Sequence, residues 1–335
     1  MQKVFGRENS LCSLALFLLK LLLPPLVLSI MIVGYIPSHT HAAVETPFLY
    51  HLSNFNGPIP YDWVQLSVDL QRNEVYVVDT REGDIRIFNE KGMEIYSFGD
   101  DHNLGSVFDL AVKEDGSLLV LSRKRVGSSI HHCNFRGEHI AEIQLKNVPV
   151  EFSPFLPDRI VYRDGLIYLL NKSGMRIIVT DANGLFRYGH NVKALVTPES
   201  DEKRKKFRDA DIEGFSVDKD GNILLTIPTL FRAIQLSPEG QAIGGFGRPG
   251  STPGGFGIVG GIVADDRGNY YVADRLRCVV MIYDKNFKFV KEFGFRGLRE
   301  HNLVGPKDLA IDSQGRLYVS QLRRRGVSVF KISFN

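Results

Sequence analysis

Three histidines share a local setting in this chain. His102 lies in DDHNLGS, His190 in YGHNVKA and His301 in REHNLVG. Three imidazoles gathered near one axis could hold zinc. A second chemistry is carried by cations grouped between apolar runs: Arg81, Arg123-Lys124-Arg125, Arg275, Arg277, Lys307 and Arg323-Arg324-Arg325. If they share a face, their field attracts anionic partners and weakens with salt. A third possibility needs carboxylates that converge on a divalent metal, for which Asp109, Glu213 and Asp308 are the candidates. Other motifs are less able. Gly244 to Gly250 is glycine-rich, but no helix follows to make an anion site. Asp218-Lys219-Asp220-Gly221-Asn222 begins like a calcium loop, yet its twelfth position is Thr229 and not the bidentate glutamate. His131, His132 and Cys133 are consecutive on a strand, where neighbours face opposite ways. No Ser/His/Asp or Cys/His constellation is placed.

The elements that must position these groups are β-strands. Six segments repeat the pattern of an apolar run, a polar turn and a second apolar run. They are Leu66 to Asp79, Leu110 to Ser122, Ile160 to Asn171, Phe215 to Ile227, Ile262 to Asp274 and Leu309 to Gln321. The turn residues are Asn73, Gly116, Gly165, Gly221, Gly268 and Gly315, at intervals of 43, 49, 56, 47 and 47. Glycine or asparagine suits that position because hairpin turns require positive φ. A period of roughly 40 to 50 residues with four strands each is the signature of a β-propeller blade. The expectation is an all-β, six-bladed β-propeller of four-stranded antiparallel blades over residues 47–335. The last repeat lacks an outermost strand, so Phe48–Asn54 is expected to pair beside Val327–Ile332 and close the ring. The longest interval contains the insertion 198–211, with five acidic and five basic side chains. It reads as a solvated loop or short helix, or as a lid over one face.

Residues 1–43 read as a targeting segment. Lys3 and Arg7 precede an apolar run over residues 11–36, and Thr40-His41-Ala42-Ala43 supplies small residues for cleavage. Either a removed signal peptide or a retained membrane anchor follows, and both place the remainder outside the cytoplasm. Cys133 and Cys278 fall on near-opposite repeats, which argues against a bridge. A formal net charge of +3 is too small to imply nucleic acid.

The fifth and sixth copies, PGGFGIVGGIVADDRGNYYVAD and GPKDLAIDSQGRLYVS, resemble NHL repeats, with VMIYD and VSVFK as third strands. The resemblance covers nearly all the chain after Ala43. It implies a six-bladed propeller of a kind that serves as interaction platform, sensor or, in some members, enzyme. In such a fold the links between blades and the second turn of each blade share the top face. The cations named above then lie on top and turn acids such as Asp69, Asp218, Asp265 and Asp312 below. The amidating lyases are zinc enzymes on this fold, but the positions matching their zinc histidines are Phe108 and Lys307. We therefore expect a monomeric binding platform without cofactor or metal. Its basic top would hold a protein, an anionic glycan or a lipid headgroup, with Arg81, Arg123, Lys124, Arg125, Arg275, Arg277, Lys307, Arg323, Arg324, Arg325, His102, His190 and His301 as contacts. The alternative is a metal-dependent propeller enzyme, lactonase-like or, less closely, amidating-lyase-like.

Overall fold

The computed structural model describes residues 44–99, 104–125, 127–196, 207 and 209–335. These form a six-bladed β-propeller of four-stranded antiparallel sheets. From the axis outward, blade 1 is Gln65–Asp69, Glu74–Asp79, Asp84–Phe88 and Glu94–Phe98. Blade 2 is Ser106–Val112, Leu118–Arg123, Ser128–Cys133 and His139–Ile143. Blade 3 is Arg159–Arg163, Leu166–Asn171, Arg176–Asp181 and Phe186–Asn191. Blade 4 is Gly214–Val217, Ile223–Ile227, Arg232–Leu236 and Ala242–Phe246. Blade 5 is Val259–Ala264, Tyr270–Asp274, Val279–Tyr283 and Phe289–Gly294. Blade 6 has Leu309–Ile311, Arg316–Ser320 and Val327–Lys331, with Phe48–His51 as its outermost strand. Each innermost strand neighbours the next, and the sixth neighbours the first.

The strand Phe48–His51 pairs antiparallel with Val327–Lys331 in the register Phe48↔Phe330, Tyr50↔Val329 and His51↔Ser328. Leu52 continues it by donating to the Val327 carbonyl at 3.0 Å. Ser53–Asn54 then turns away to pair with Gly57–Pro58, so the outermost strand of blade 6 is shorter than the expected Phe48–Asn54. Val44–Glu45 pairs with Ser333–Phe334, binding the two ends of the described chain together.

The turns explain where the acids go. In the first turn of four blades one aspartate accepts backbone amides of its own turn. Asp69 takes Gln71 and Arg72, Asp218 takes Asp220 and Asn222, Asp265 takes Arg267 and Asn269, and Asp312 takes Gln314 and Arg316. This is local side-chain capping, in which the carboxylate satisfies donors that the turn would otherwise leave unpaired. Asp69, Asp218 and Asp312 are buried. The expected acidic lower face is thus in large part turn scaffolding, and Asp69 and Asp312 are also paired with Arg72 and Arg316.

Hydrophobic clusters fill the spaces between successive blades, such as Tyr271, Val280, Leu309, Val319 and Phe330 between blades 5 and 6. Where inner strands approach most closely the sequence has glycine. A Cβ on Gly214 would stand 2.5 Å from the Gly260 oxygen, and one on Gly260 would stand 2.5 Å from the Lys307 oxygen. Cys133 and Cys278 are free and buried. Cys278 has φ +57, but the equivalent residue before the third strand is left-handed in every blade, as at Gly83, Gly127, Met175, Phe231 and Gly326. Its backbone is turn geometry, not strain. No helix among the described residues is long and apolar enough to cross a membrane. The expectations for residues 1–43 and for His102 lie outside the described residues, as does most of the insertion 198–211.

Candidate functional site

The first residues of the inner strands meet at the top of the channel. Asp109 immediately precedes Leu110 in blade 2, Arg159 precedes Ile160 in blade 3 and Asp308 precedes Leu309 in blade 6. Arg159 Nε donates to Asp109 Oδ2 at 2.9 Å, and Nη2 donates to Asp308 Oδ2 at 3.3 Å. Blades 3 and 6 are opposite in the ring, so this one guanidinium spans the channel mouth. The same carboxyl oxygens also staple blade to blade: Ile160 donates its amide to Asp109 at 2.9 Å and Leu66 donates to Asp308 at 3.0 Å. Below the bridge, the six inner strands line a channel of about 170 Å³. Burial pushes the Asp109 carboxyl up to about 6, against the opposing pull of Arg159.

A second charged group sits beside the first. Lys172 Nζ donates to Glu213 at 2.6 Å, and Lys307 Nζ lies 3.8 Å from the same carboxylate. Burial pushes Glu213 upward, but Lys172, Lys307 and Arg275 outweigh it and hold the carboxyl below its ordinary range. Burial lowers the Lys307 ammonium, with Lys172 and Arg159 adding to that and Glu213 opposing. Asp109, Glu213 and Asp308 therefore do converge, but each is occupied by a guanidinium or ammonium. Among the described residues no group of three or more His, Cys, Asp or Glu side chains could hold a metal ion. This donor set suits interblade ion pairing and does not fit the metal centre that a lactonase-like or lyase-like reading requires.

The cations divide into used and exposed groups. Arg277 donates to Glu292 at 2.7 Å and to the Gly255 carbonyl, with little of its side chain exposed. Arg325 donates to the carbonyls of Leu298, Arg299 and Asn302, which braces the link between blades 5 and 6. These two are structural, because each satisfies groups that its own blade-to-blade link brings within reach. Arg81 lies 3.6 Å from Asp62, Arg123 pairs with Asp158 and Lys124 with Glu142, all in exposed positions. Arg125, Arg323 and Arg324 are exposed. His301 is exposed, whereas His190 is buried against Tyr188 and the Gly240 turn of the next blade. The described histidines do not gather at the mouth, because outer strands lean onto neighbouring blades and carry His190 away from the axis.

Sequence reasoning missed Trp63, the only tryptophan in the chain. It sits in the link entering blade 1 and donates its indole N–H to the Gly305 carbonyl at 2.9 Å. The Arg275 guanidinium lies 5.4 Å and the Lys307 ammonium 5.2 Å from its ring centroid. Both are within cation–π range. Arg159 was missed too, although it stands in register with Asp109 and Asp308, and that alignment could have revealed it.

The fold defines the class: a β-propeller protein with an ion-pair bridge across its axial mouth. No protein-family model matches the chain, and no curated protein matches it. Solved structures do. A structural-genomics protein of unknown function from Bacteroides thetaiotaomicron aligns at TM-score 0.61 and 12% identity, covering 87% of this chain and 76% of that one. Virginiamycin B lyase from Staphylococcus aureus aligns at TM-score 0.56 and 12% identity, covering 88% and 99%. A protein solved as a putative gluconolactonase gives TM-score 0.56 and 12% identity over 88% and 94%. Likeness at this identity carries the fold and no activity.

Proposed function

We propose that this chain is an exported, NHL-type propeller acting as a binding platform, with its top face taking an anionic ligand or acidic protein surface. The observation that supports this reading is the division of charge at the mouth. The three axial carboxylates are neutralised by Arg159, Lys172 and Lys307, while Arg125, Arg323 and Arg324 project outward. Anions approaching that face meet cations whose inner counter-charges are already buried. The lactonase or lyase alternative has structural neighbours of those names, but its candidate carboxylates Asp109, Glu213 and Asp308 are each paired with a side-chain cation.

Capture on an anionic matrix at low and high salt tests the proposal. Arg323→Glu/Arg324→Glu reverses two exposed charges and leaves the bracing Arg325 intact. We expect binding to fall about tenfold or more at low salt, with a shallower salt dependence. Equal retention of the variant and the native chain at both salts would overturn the top-face assignment.

A further inference from the structure

Beside the bridged mouth is a hollow of about 570 Å³ between blades 5 and 6. Its size is that of a small-molecule site. Its walls come from five segments: the link at Trp63, the link at Ile258, the turn from Arg275 to Cys278, the link from Arg296 to Gly305, and the turn at Leu322 and Arg323. The apolar part includes Ile258, Leu276, Leu298 and Leu322 together with the Trp63 ring. Leu298 is 93% exposed and Leu276 58% exposed, so this surface faces solvent. The charged part is Arg275, Arg296 and Arg323, and no acidic residue is among those described as lining it.

These two halves call for a ligand with two halves. Aliphatic side chains around an indole offer a place for a hydrocarbon chain, whose transfer from water is favourable for each methylene buried. Three guanidiniums without a carboxylate between them favour one compact anion, which they can meet through paired N–H donors. An uncharged hydrocarbon would leave the arginines unused, and an inorganic anion would leave the leucines in water. We infer that the hollow binds a single-chain amphipathic anion, an alkyl or acyl chain ending in phosphate or carboxylate. The inference rests on the top-face platform reading and narrows it to one ligand class. The chain lies along Trp63, Leu276 and Leu298, and the anionic head meets Arg275, Arg296 and Arg323.

Because Trp63 is the only tryptophan, its emission reports on this hollow alone. The full chain is titrated, below the micellar concentration, with dodecyl phosphate, with dodecanol and with inorganic phosphate. A saturable emission change with dodecyl phosphate is expected, with dodecanol and inorganic phosphate each at least tenfold weaker. Arg275→Gln/Arg323→Gln should weaken dodecyl phosphate at least tenfold and leave dodecanol unchanged. Leu298→Ser, at a fully exposed position that the fold does not need, should weaken the phosphate ester and dodecanol alike. Vesicles of phosphatidylglycerol and phosphatidylcholine separate the sources. Tryptophan changes with anionic vesicles as well as with the free ester indicate a membrane lipid, and changes with the free ester alone indicate a soluble one. No saturable change with dodecyl phosphate, or equal affinity for dodecanol or for inorganic phosphate, overturns the inference. If matrix binding in the preceding experiment is retained while dodecyl phosphate fails, the hollow assignment alone falls. If both fail, the platform reading falls with it.

Discussion

Replacing Arg159 with leucine is expected to destabilise the propeller by about 3–5 kcal/mol, the usual cost of removing one partner from a buried ion pair. The reason is geometric. Arg159 holds Asp109 of blade 2 and Asp308 of blade 6 with one guanidinium, and both carboxylates are buried. Without it, two like charges face each other in a medium that solvates neither. Urea unfolding should show a lower midpoint with an unchanged slope. The deficit should also depend on pH. Asp109 is already raised to about 6 by burial in the presence of Arg159, and losing that cation raises it further. Its folded-state pKa then lies above its unfolded value, so the folded state binds more protons between the two. Stability from this group is present at low pH and is lost as pH rises through the folded pKa. Arg159→Leu should accordingly be closer to the native chain at pH 5 than at pH 8. The triple variant Arg159→Leu/Asp109→Asn/Asp308→Asn should recover much of the loss at pH 8. As a contrast, Arg123→Leu breaks an exposed pair with Asp158 and should cost no more than about 1 kcal/mol. Equal losses at the two sites would show that the axial bridge is no more than a surface pair.

The second large effect concerns closure of the ring. Leu52→Pro removes a fully buried side chain from the cluster shared by blades 1 and 6. It also removes the amide that donates to Val327. The side chain alone is worth about 2–5 kcal/mol by analogy with leucine truncations in cores, and the lost backbone bond adds about 1 kcal/mol. Leu52→Ala keeps the amide and should show the first part only. Calorimetry that finds both variants within 1 kcal/mol of the native chain would mean that Phe48–Leu52 does not close the sixth blade.

Much of the scaffold was legible because a propeller repeats itself. The period is carried by short-range chemistry: an aspartate such as Asp265 that caps its own turn, a glycine such as Gly268 at positive φ, and apolar strands on either side. Such signals need only a few consecutive residues. The charge at the mouth was legible in kind but not in partnership. Arg277 reads as a turn cation, yet it meets Glu292 on the blade's outermost strand. Arg325 belongs by sequence to a run of three, yet it alone turns inward to the carbonyls of residues 298–302. His190 reads as a link residue, but the lean of its strand buries it against the following blade. These outcomes depend on the tilt between blades, which local patterns do not encode. The Trp63 hollow is less legible still, because its walls come from five segments separated by up to 260 residues.

At the mouth the carboxylates are occupied by side-chain cations, and we propose that the face around them receives anions. Titration of the metal-free protein with calcium, magnesium and zinc, followed by thermal unfolding and elemental analysis, tests that reading most directly. We predict an unchanged melting temperature and no stoichiometric metal at the mouth. One equivalent of metal that raises the melting temperature, and whose binding is abolished by Asp109→Asn or Asp308→Asn, would contradict it and restore the metal-dependent enzyme.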